Sequence, residues 1–420
     1  MTDVVDTTSS ATADAAGGAA NGEPHDFPMA RTCPFSPPPE YARLRAEEPV
    51  AKARLSWNGK EVWLLSRHED VRQLLGDTTT SSNWKAAAYP LQVPVPDEIL
   101  QEIELPLVGM DPPEHGSRRR MLVPELTARR AQALRPRIQE IVDHHIDAML
   151  ASGGPVDLIE AIAFPVPALI FCELMGVPTE DSDFFRRCAE TLVRSDVDPQ
   201  EMMSAQQELE VYLNRLVADK EKDPADDLLG RIALKNRTEQ TLTSSDIAGL
   251  AKNLLFGGFD TTSNMIALGI LVLLQHPEQL AELRANPELL PGAVEELLRY
   301  LAIADSSPAR ALTEDIEIGG RVLRKGEGVI ALTGSANRDE SVFADPDAFD
   351  IHRDARGHSA FGHGIHQCPG ANLVRVELEV VFGSLLARIP DLKLAVPFED
   401  IRFKSQTLVH GVAGELPITW

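Results

Sequence analysis

The sequence is short of cysteine, of positive charge and of long hydrophobic runs. Four cysteines stand among 420 residues, at Cys33, Cys172, Cys188 and Cys368, with no paired spacing. That excludes a disulfide framework and suits a reducing, cytoplasmic setting. Forty basic residues oppose 64 acidic ones, a formal charge of −24. So acidic a chain excludes nucleic acid and an anionic membrane as bulk partners. The longest apolar run, residues 266–274, is too short to span a bilayer. Residues 1–26 are rich in Thr, Ala, Ser, Gly and Asp, with neither a basic start nor an apolar stretch. They do not read as a signal peptide. They predict a disordered tail ahead of a folded part covering 27–420. No internal repeat is visible.

What is present is mostly helical pattern. Pro34, Pro37, Pro38 and Pro39 predict an extended entry. Residues 62–65 predict a short strand and residues 68–75 a helix. Residues 77–109 combine Thr, Ser and Pro with weak periodicity, which predicts a long functional or mobile loop. Helical patterns fill 113–299. Between 310 and 350, apolar residues alternate or cluster like short strands, with Gly319-Gly320 as a turn. Pro390, Pro397, Gly411 and Gly414 predict hairpins near the end. The pattern is mainly α with small β-sheets, an α+β chain.

Thr243 and Asp246, three apart, predict a capping box at the start of the longest helix, and His276-Pro277 predicts its end. Its middle reads Gly257-Gly258-Phe259-Asp260-Thr261-Thr262-Ser263-Asn264. Each interior glycine disfavours the helix by about 1 kcal/mol relative to Ala. A locally disfavoured stretch inside a strong element marks a functional site, and predicts a helix opened or kinked there. Thr261 can bond back to a carbonyl or offer its hydroxyl to a ligand. Asp260 places a carboxylate beside it. The alternative is a buried cluster of packing polar groups.

Residues 361–370 read Phe-Gly-His-Gly-Ile-His-Gln-Cys-Pro-Gly, ahead of an apolar helical run. Three glycines in ten residues allow unusual backbone conformations and close approach of a flat ligand. Cys368 at the start of a helix lies near its positive end, which favours the thiolate, the form that binds metal. His358, His363, His366 and Cys368 also raise the possibility of zinc. The remaining cysteines are too scattered to supply a second ligand pair.

The loop resembles the haem-ligand signature of the cytochrome P-450 superfamily, F-G-x-G-x-H-x-C-x-G, at every fixed position. The resemblance, closest to soluble actinobacterial members, implies one domain holding haem b between the long helix and the cysteine loop. It implies Cys368 as iron ligand, Phe361 packed near the sulfur, and His366 on a haem propionate. The family places further propionate ligands at positions matching His115, Arg119, Arg310 and His358. Gly257 to Thr261 is similar to the family's (A/G)-G-x-(D/E)-T motif. That implies Asp260 and Thr261 as the acid–alcohol pair bringing protons to dioxygen. Glu296-x-x-Arg299 and Arg353 resemble the family's structural network. On their own, the first is a common pattern of solvated helices, and His115 with Arg119 could be an ordinary exposed pair.

The family also implies a monooxygenase, a monomer, fed by a ferredoxin and a ferredoxin reductase. It would use O2 on a small organic substrate, a natural product or foreign compound. Nitration, phenol coupling, desaturation or a non-catalytic haem sensor are the alternatives. By the same analogy the substrate pocket takes Trp84, Leu192, Val193, Asn253, Leu254, Gly257, Ile303, Leu408 and Val409. The polar run 304–307 suggests a polar substrate. Seven arginines between 118 and 137, opposed locally by Glu125 alone, form either a docking patch for an acidic partner or a solvated face. In the docking reading, Arg118 and Arg120 face the partner while Arg119 turns inward.

Overall fold

The Thr243 hydroxyl accepts from the Asp246 N–H, and the Asp246 carboxylate accepts from the Thr243 N–H at 2.8 Å. This capping box starts a helix that runs from Ser244 to Gln275. The computed structural model describes residues 24–193, 197–306, 308–404 and 408–420. Ahead of the long helix lie α1 (Glu40–Glu47), α2 (His68–Gly76), α3 (Asp97–Glu102), α4 (Glu114–Leu122) and α5 (Ala128–Ser152). Then come α6 (Pro165–Met175), α7 (Ser182–Val193), α8 (Pro199–Lys222) and α9 (Leu228–Glu239). The long helix is α10. After it follow α11 (Pro277–Ala285), α12 (Leu290–Leu301), α13 (Thr333–Ala336) and α14 (Ala371–Arg388).

Helix α10 is apolar on nearly every face, and such a helix belongs inside. By length and composition it alone among the described helices could cross a bilayer, yet 72% of its apolar window is buried within the protein. It is the axis of the main core, with α6, α8, α12 and α14 packed on it.

The strands are β1 (His25–Phe27), β2 (Val50–Leu55), β3 (Glu61–Leu65), β4 (Thr80–Ser81), β5 (Val156–Asp157) and β6 (Ala309–Leu312). They continue with β7 (Ile316–Ile318), β8 (Arg321–Leu323), β9 (Gly328–Ala331), β10 (Lys393–Leu394) and β11 (Pro417–Thr419). The largest sheet has the order β1-β2-β3-β9-β6-β4, and two smaller core clusters flank it. Strand β1 pairs in parallel with β2, so His25 and Asp26 belong to the fold and the expected boundary at 27 moves back. The rest of the expected tail, up to residue 23, lies outside the described residues.

The stretch 77–109 is not one long loop. It holds β4, α3 and a 3₁₀ turn at Leu107–Gly109. Its order comes from a residue just beyond it: Asp111 accepts from the Ser82 N–H at 2.6 Å and from the Ser81 hydroxyl. That anchor ties the start of the stretch to the approach of α4.

Arg299 and Glu296 on α12 form a bidentate pair at 2.7 and 2.8 Å, with no exposure of either side chain. Arg299 also donates to the carbonyls of Asn337 and Pro346, and Arg353 donates to Glu296 at 3.1 Å. A buried pair contributes little over an apolar substitute, but removing Arg299 leaves the buried Glu296 carboxylate with only Arg353 and the Asp350 N–H, and takes a donor from the carbonyls of Asn337 and Pro346. Arg299→Ala should destabilise the protein by about 3–5 kcal/mol in urea unfolding. A loss near the roughly 1 kcal/mol of a surface pair would show that Arg353 alone is enough to satisfy Glu296.

Candidate active site

The loop before α14 is shaped by its glycines. Gly362 and Gly364 take φ of 67° and 71°, a region where side chains are strained. At Gly364 a Cβ would also lie 2.1 Å from the Leu75 carbonyl oxygen, because the loop rests on the end of α2. The Cys368 N–H donates to the Phe361 carbonyl at 2.8 Å and closes the loop. The sulfur lines a cavity of about 720 Å³, within the usual range for ligand pockets.

Burial pushes the Cys368 thiol up; the Gly370 and Ala371 N–H groups and the charges of Arg119 and Arg375 pull it down. The net shift is upward, which corrects the expectation that the helix start alone would favour thiolate. The dipole effect is small beside full desolvation. A cation at the sulfur would reverse the balance.

Four positively inclined groups line the same cavity: His115 and Arg119 from α4, Arg310 from β6 and His366 from the cysteine loop. The His115 and His366 rings lie 4.1 Å apart. Burial, then Arg119 and Arg310, holds His115 down at about 4, against an opposing pull from Asp111. Burial with Arg310, His115 and Arg119 holds His366 down at about 3. His115 Nε2 is buried without a partner, and Arg310, 4% exposed, donates to the Ala309 carbonyl. Such a cluster lacks its anion, and a ligand with two carboxylates would satisfy it. These residues therefore fit the two propionates of haem. Among the described residues no group of three His, Cys, Asp or Glu forms a metal cluster, so zinc has no site here.

Gly257, Asp260 and Thr261 of α10 line the cavity too. The helix does not open at this point, contrary to expectation. The Thr261 hydroxyl donates to the Gly257 carbonyl at 2.7 Å and fills the space where water would enter the ladder. Nothing lies within 4 Å of a Cβ built on Gly257, whereas one on Gly258 would meet Phe171 at 2.2 Å. The first glycine leaves room in the cavity; the second lets α6 approach. The Asp260 carboxylate is held by Lys404 at 3.1 Å and by the Asn264 amide at 2.8 Å.

The Cytochrome P450 family model matches residues 194–390. The chain is 44% identical over 395 residues to vitamin D3 dihydroxylase of Streptomyces griseolus, covering 94% of this chain and 96% of that one. It is also 44% identical over 397 residues to 20-oxo-5-O-mycaminosyltylactone 23-monooxygenase of Streptomyces fradiae, covering 94% and 92%. The crystal structure of cytochrome P450 MoxA from Nonomuraea recticatena superposes with a TM-score of 0.90 at 47% identity, covering 94% and 98%. The chain belongs to the cytochrome P450 family. It is a P450 monooxygenase with a haem-thiolate cofactor, using O2 and a redox partner on small organic molecules.

The structure redistributes several residues expected at this P450 site. Trp84, Asn253, Leu254, Gly257, Ile303, Leu408 and Val409 line the cavity, as does Phe361. Leu192 and Val193 end α7, but their side chains lie outside the described residues. His358 is not in the cavity wall. Its Nε2 meets Glu295 at 3.1 Å and its Nδ1 accepts from the Ala360 N–H, so no ring nitrogen is left for a propionate. Glu295 also pairs with Arg375, whose guanidinium lies 4.7 Å over the Phe361 ring. Arg118 turns inward to Asp246 and Glu104, so it is no docking residue. Arg119 donates to the Gln367 carbonyl at 2.6 Å. Around 303–308 the cavity meets Ile303, Ala304 and Pro308, while Asp305 points to Arg31. Asp305 and Ser306 are not among the residues that line the cavity, and Ser307 lies outside the described residues, so the described polar side chains give no reason to expect a polar substrate.

Glu377 on α14 was not singled out by its sequence, because one acidic residue in an amphipathic helix looks ordinary. It lines the cavity at 1% exposure. Its Oε1 and the nearby-lining Thr262 hydroxyl both lack partners. Burial alone pushes its carboxyl up to about 8. Between the usual carboxylate value of 4.5 and about 8, the unfolded chain ionises Glu377 while the folded chain keeps the proton. Stability is therefore lost as pH rises through that window. Glu377→Gln should be stabilised relative to the parent by an amount that grows across the window and levels off above it. Unfolding curves at a series of pH values test this, and a difference that stays flat would mean that Glu377 is ionised in the fold.

Proposed function

We propose that this P450 holds haem b in the 720 Å³ cavity, takes electrons from a ferredoxin served by a ferredoxin reductase, and hydroxylates a small, mainly apolar natural product or foreign compound in the space that remains. It works as a monomer in the cytoplasm, a setting that suits its four free thiols. The observation that carries the reading is one cavity lined both by the Cys368 loop and by the Asp260–Thr261 turn of α10. Cys368 would ligate the iron, and His115, Arg119, Arg310 and His366 would hold the propionates. When bound, thiolate-ligated haem supplies dioxygen activation, the thiolate favouring O–O cleavage.

The chain's own residues supply the rest. Asp260, oriented by Lys404 and Asn264, takes protons from the solvent side. Thr261 holds its hydroxyl in the cavity, with its proton on the Gly257 carbonyl and its oxygen open to accept another. Glu377, on α14, keeps a proton at neutral pH in the cavity wall. Phe171, Leu174, Leu254, Met265 and Ile303 make the wall apolar and exclude water from a bound substrate. An apolar wall also supports an apolar substrate, as do relatives named for vitamin D3 and a tylactone.

Cys368→Ser should abolish the red-shifted carbon monoxide band of the reduced protein while leaving the fold intact; a mutant that keeps the band has another ligand. Thr261→Ala should bind substrate normally, yet its product per reduced nicotinamide should fall roughly tenfold or more. Equal product yield would remove Thr261 from the proton path. Arg120 and Arg129 are exposed and make no ion pair among the described residues, unlike Arg118, Arg130, Arg135 and Arg137. Reversing both to Glu should slow reduction by ferredoxin at low salt, and added salt should narrow the gap. An unchanged rate at low salt would put the docking site elsewhere.

A further inference from the structure

Two segments that line the cavity are held from behind by a third that does not. Arg31 donates to the Asp305 carboxylate at 2.6 Å and to the Ser36 carbonyl at 2.6 Å. The Arg31 and Asp305 side chains are 17% and 12% exposed. Asp305 follows Ile303 and Ala304, which face the cavity. Its carbonyl accepts from the Thr333 hydroxyl at 3.0 Å. Its Cβ sits so close to Gly334 that a Cβ there would fall 2.6 Å away.

The same entry segment reaches the second wall. His410 donates from Nε2 to the Pro34 carbonyl at 2.6 Å, and its backbone N–H donates to the Ile303 carbonyl at 2.8 Å. His410 follows Leu408 and Val409, also cavity residues. Burial with the Arg31 charge holds its imidazole down at about 4, so it is neutral and fixed as a donor. The entry segment is itself pinned. Arg338, 1% exposed, donates to the Phe35 carbonyl at 3.0 Å, and the Phe35 and Phe398 rings lie tilted against each other with centroids 5.5 Å apart.

We propose that Arg31, with Pro34, is a specificity-determining brace: from outside the cavity it sets the position of the 303–304 and 408–409 walls, and so which apolar shapes fit. Arg31 is a positioning residue; it touches no substrate. The proposal rests on the haem-binding reading above, because that fixes where a ligand's reactive end sits. The His410 N–H to Ile303 carbonyl bond joins the two walls directly, so releasing the first wall from Arg31 is passed on to the second. Cavity walls discriminate apolar ligands by contact and volume, so a modest shift changes relative rather than absolute affinity.

The test uses haem-loaded protein and four probes that bind iron through the same nitrogen: imidazole, 1-butylimidazole, 1-octylimidazole and 1-dodecylimidazole. Affinities come from haem difference spectra. Arg31→Met should leave imidazole affinity unchanged and move the dodecyl-to-butyl affinity ratio by roughly three- to tenfold, the scale of small changes in an apolar pocket. Arg31→Lys, which keeps the charge, should recover most of the parent ratio. Should Arg31→Met fail to accumulate as haem protein, Asp305→Ala removes the acceptor of the same tie and decides on the same ratio. A merely structural role would lower the melting temperature and leave the ratio alone, and that result overturns the brace. If imidazole itself gives no spectral change in the parent, the haem reading fails instead.

Discussion

Burying the Cys368 sulfur raises the free energy of its charged form, and little in the protein alone reverses that. Two backbone N–H groups and the distant charges of Arg119 and Arg375 oppose the desolvation without overcoming it. Across the same cavity the imbalance has the other sign. His115, Arg119, Arg310 and His366 share one wall, where burial first and the neighbouring positive charges second hold both histidines neutral. A buried sulfur that needs a cation and a buried cationic cluster that needs anions share one space. One flat ligand with iron at its centre and carboxylates at its edge answers both. The fold around it, from the glycine turns on α2 to the Glu296–Arg299 pair, keeps these two demands in register.

The parts of this arrangement that can be read from the sequence are those whose cause is local. Gly362 and Gly364 are needed by their own backbone angles, so the loop declares itself in ten residues. The α10 cap is written in Thr243 and Asp246, and its end in His276-Pro277. Strands β7 and β9 follow from alternation and clustering of apolar residues, and the Gly319-Gly320 turn from its glycines. What stayed hidden depends on partners far along the chain. Asp305 looks like a pocket residue until Arg31 claims it from 274 positions away. Arg118 looks like part of a basic patch until Asp246 takes it. Residues 77–109 look structureless because their anchor, Asp111, lies beyond them. Glu377 has no local signature at all, because only burial makes it unusual. The opening expected in α10 failed for a related reason: Thr261 bonds within its own turn, a choice that local propensity alone does not decide.

The same long-range pairing changes the meaning of the charge count. Seven arginines in twenty residues suggest a strongly positive surface, yet Arg118, Arg130, Arg135 and Arg137 meet carboxylates from other elements. Their work is mostly internal, joining α4 and α5 to α6, α10 and α14. The positive field left for a partner is smaller than the sequence suggests, and it stands on a chain of formal charge −24. Electrostatic recognition of a redox partner by that patch must then be local and short-ranged, and sensitive to ionic strength.

Neighbouring glycines on α10 have opposite latitude. Behind Gly258 the ring of Phe171 leaves no space for a further carbon, so a larger residue there requires that ring to shift. At Gly257 the backbone is helical and the space ahead is empty cavity. A methyl group there would improve helix propensity and at the same time narrow the chamber. Selection acting on this protein thus has a one-step route to a smaller substrate that stabilises the scaffold as it proceeds. Widening the chamber by the reverse step would weaken the helix.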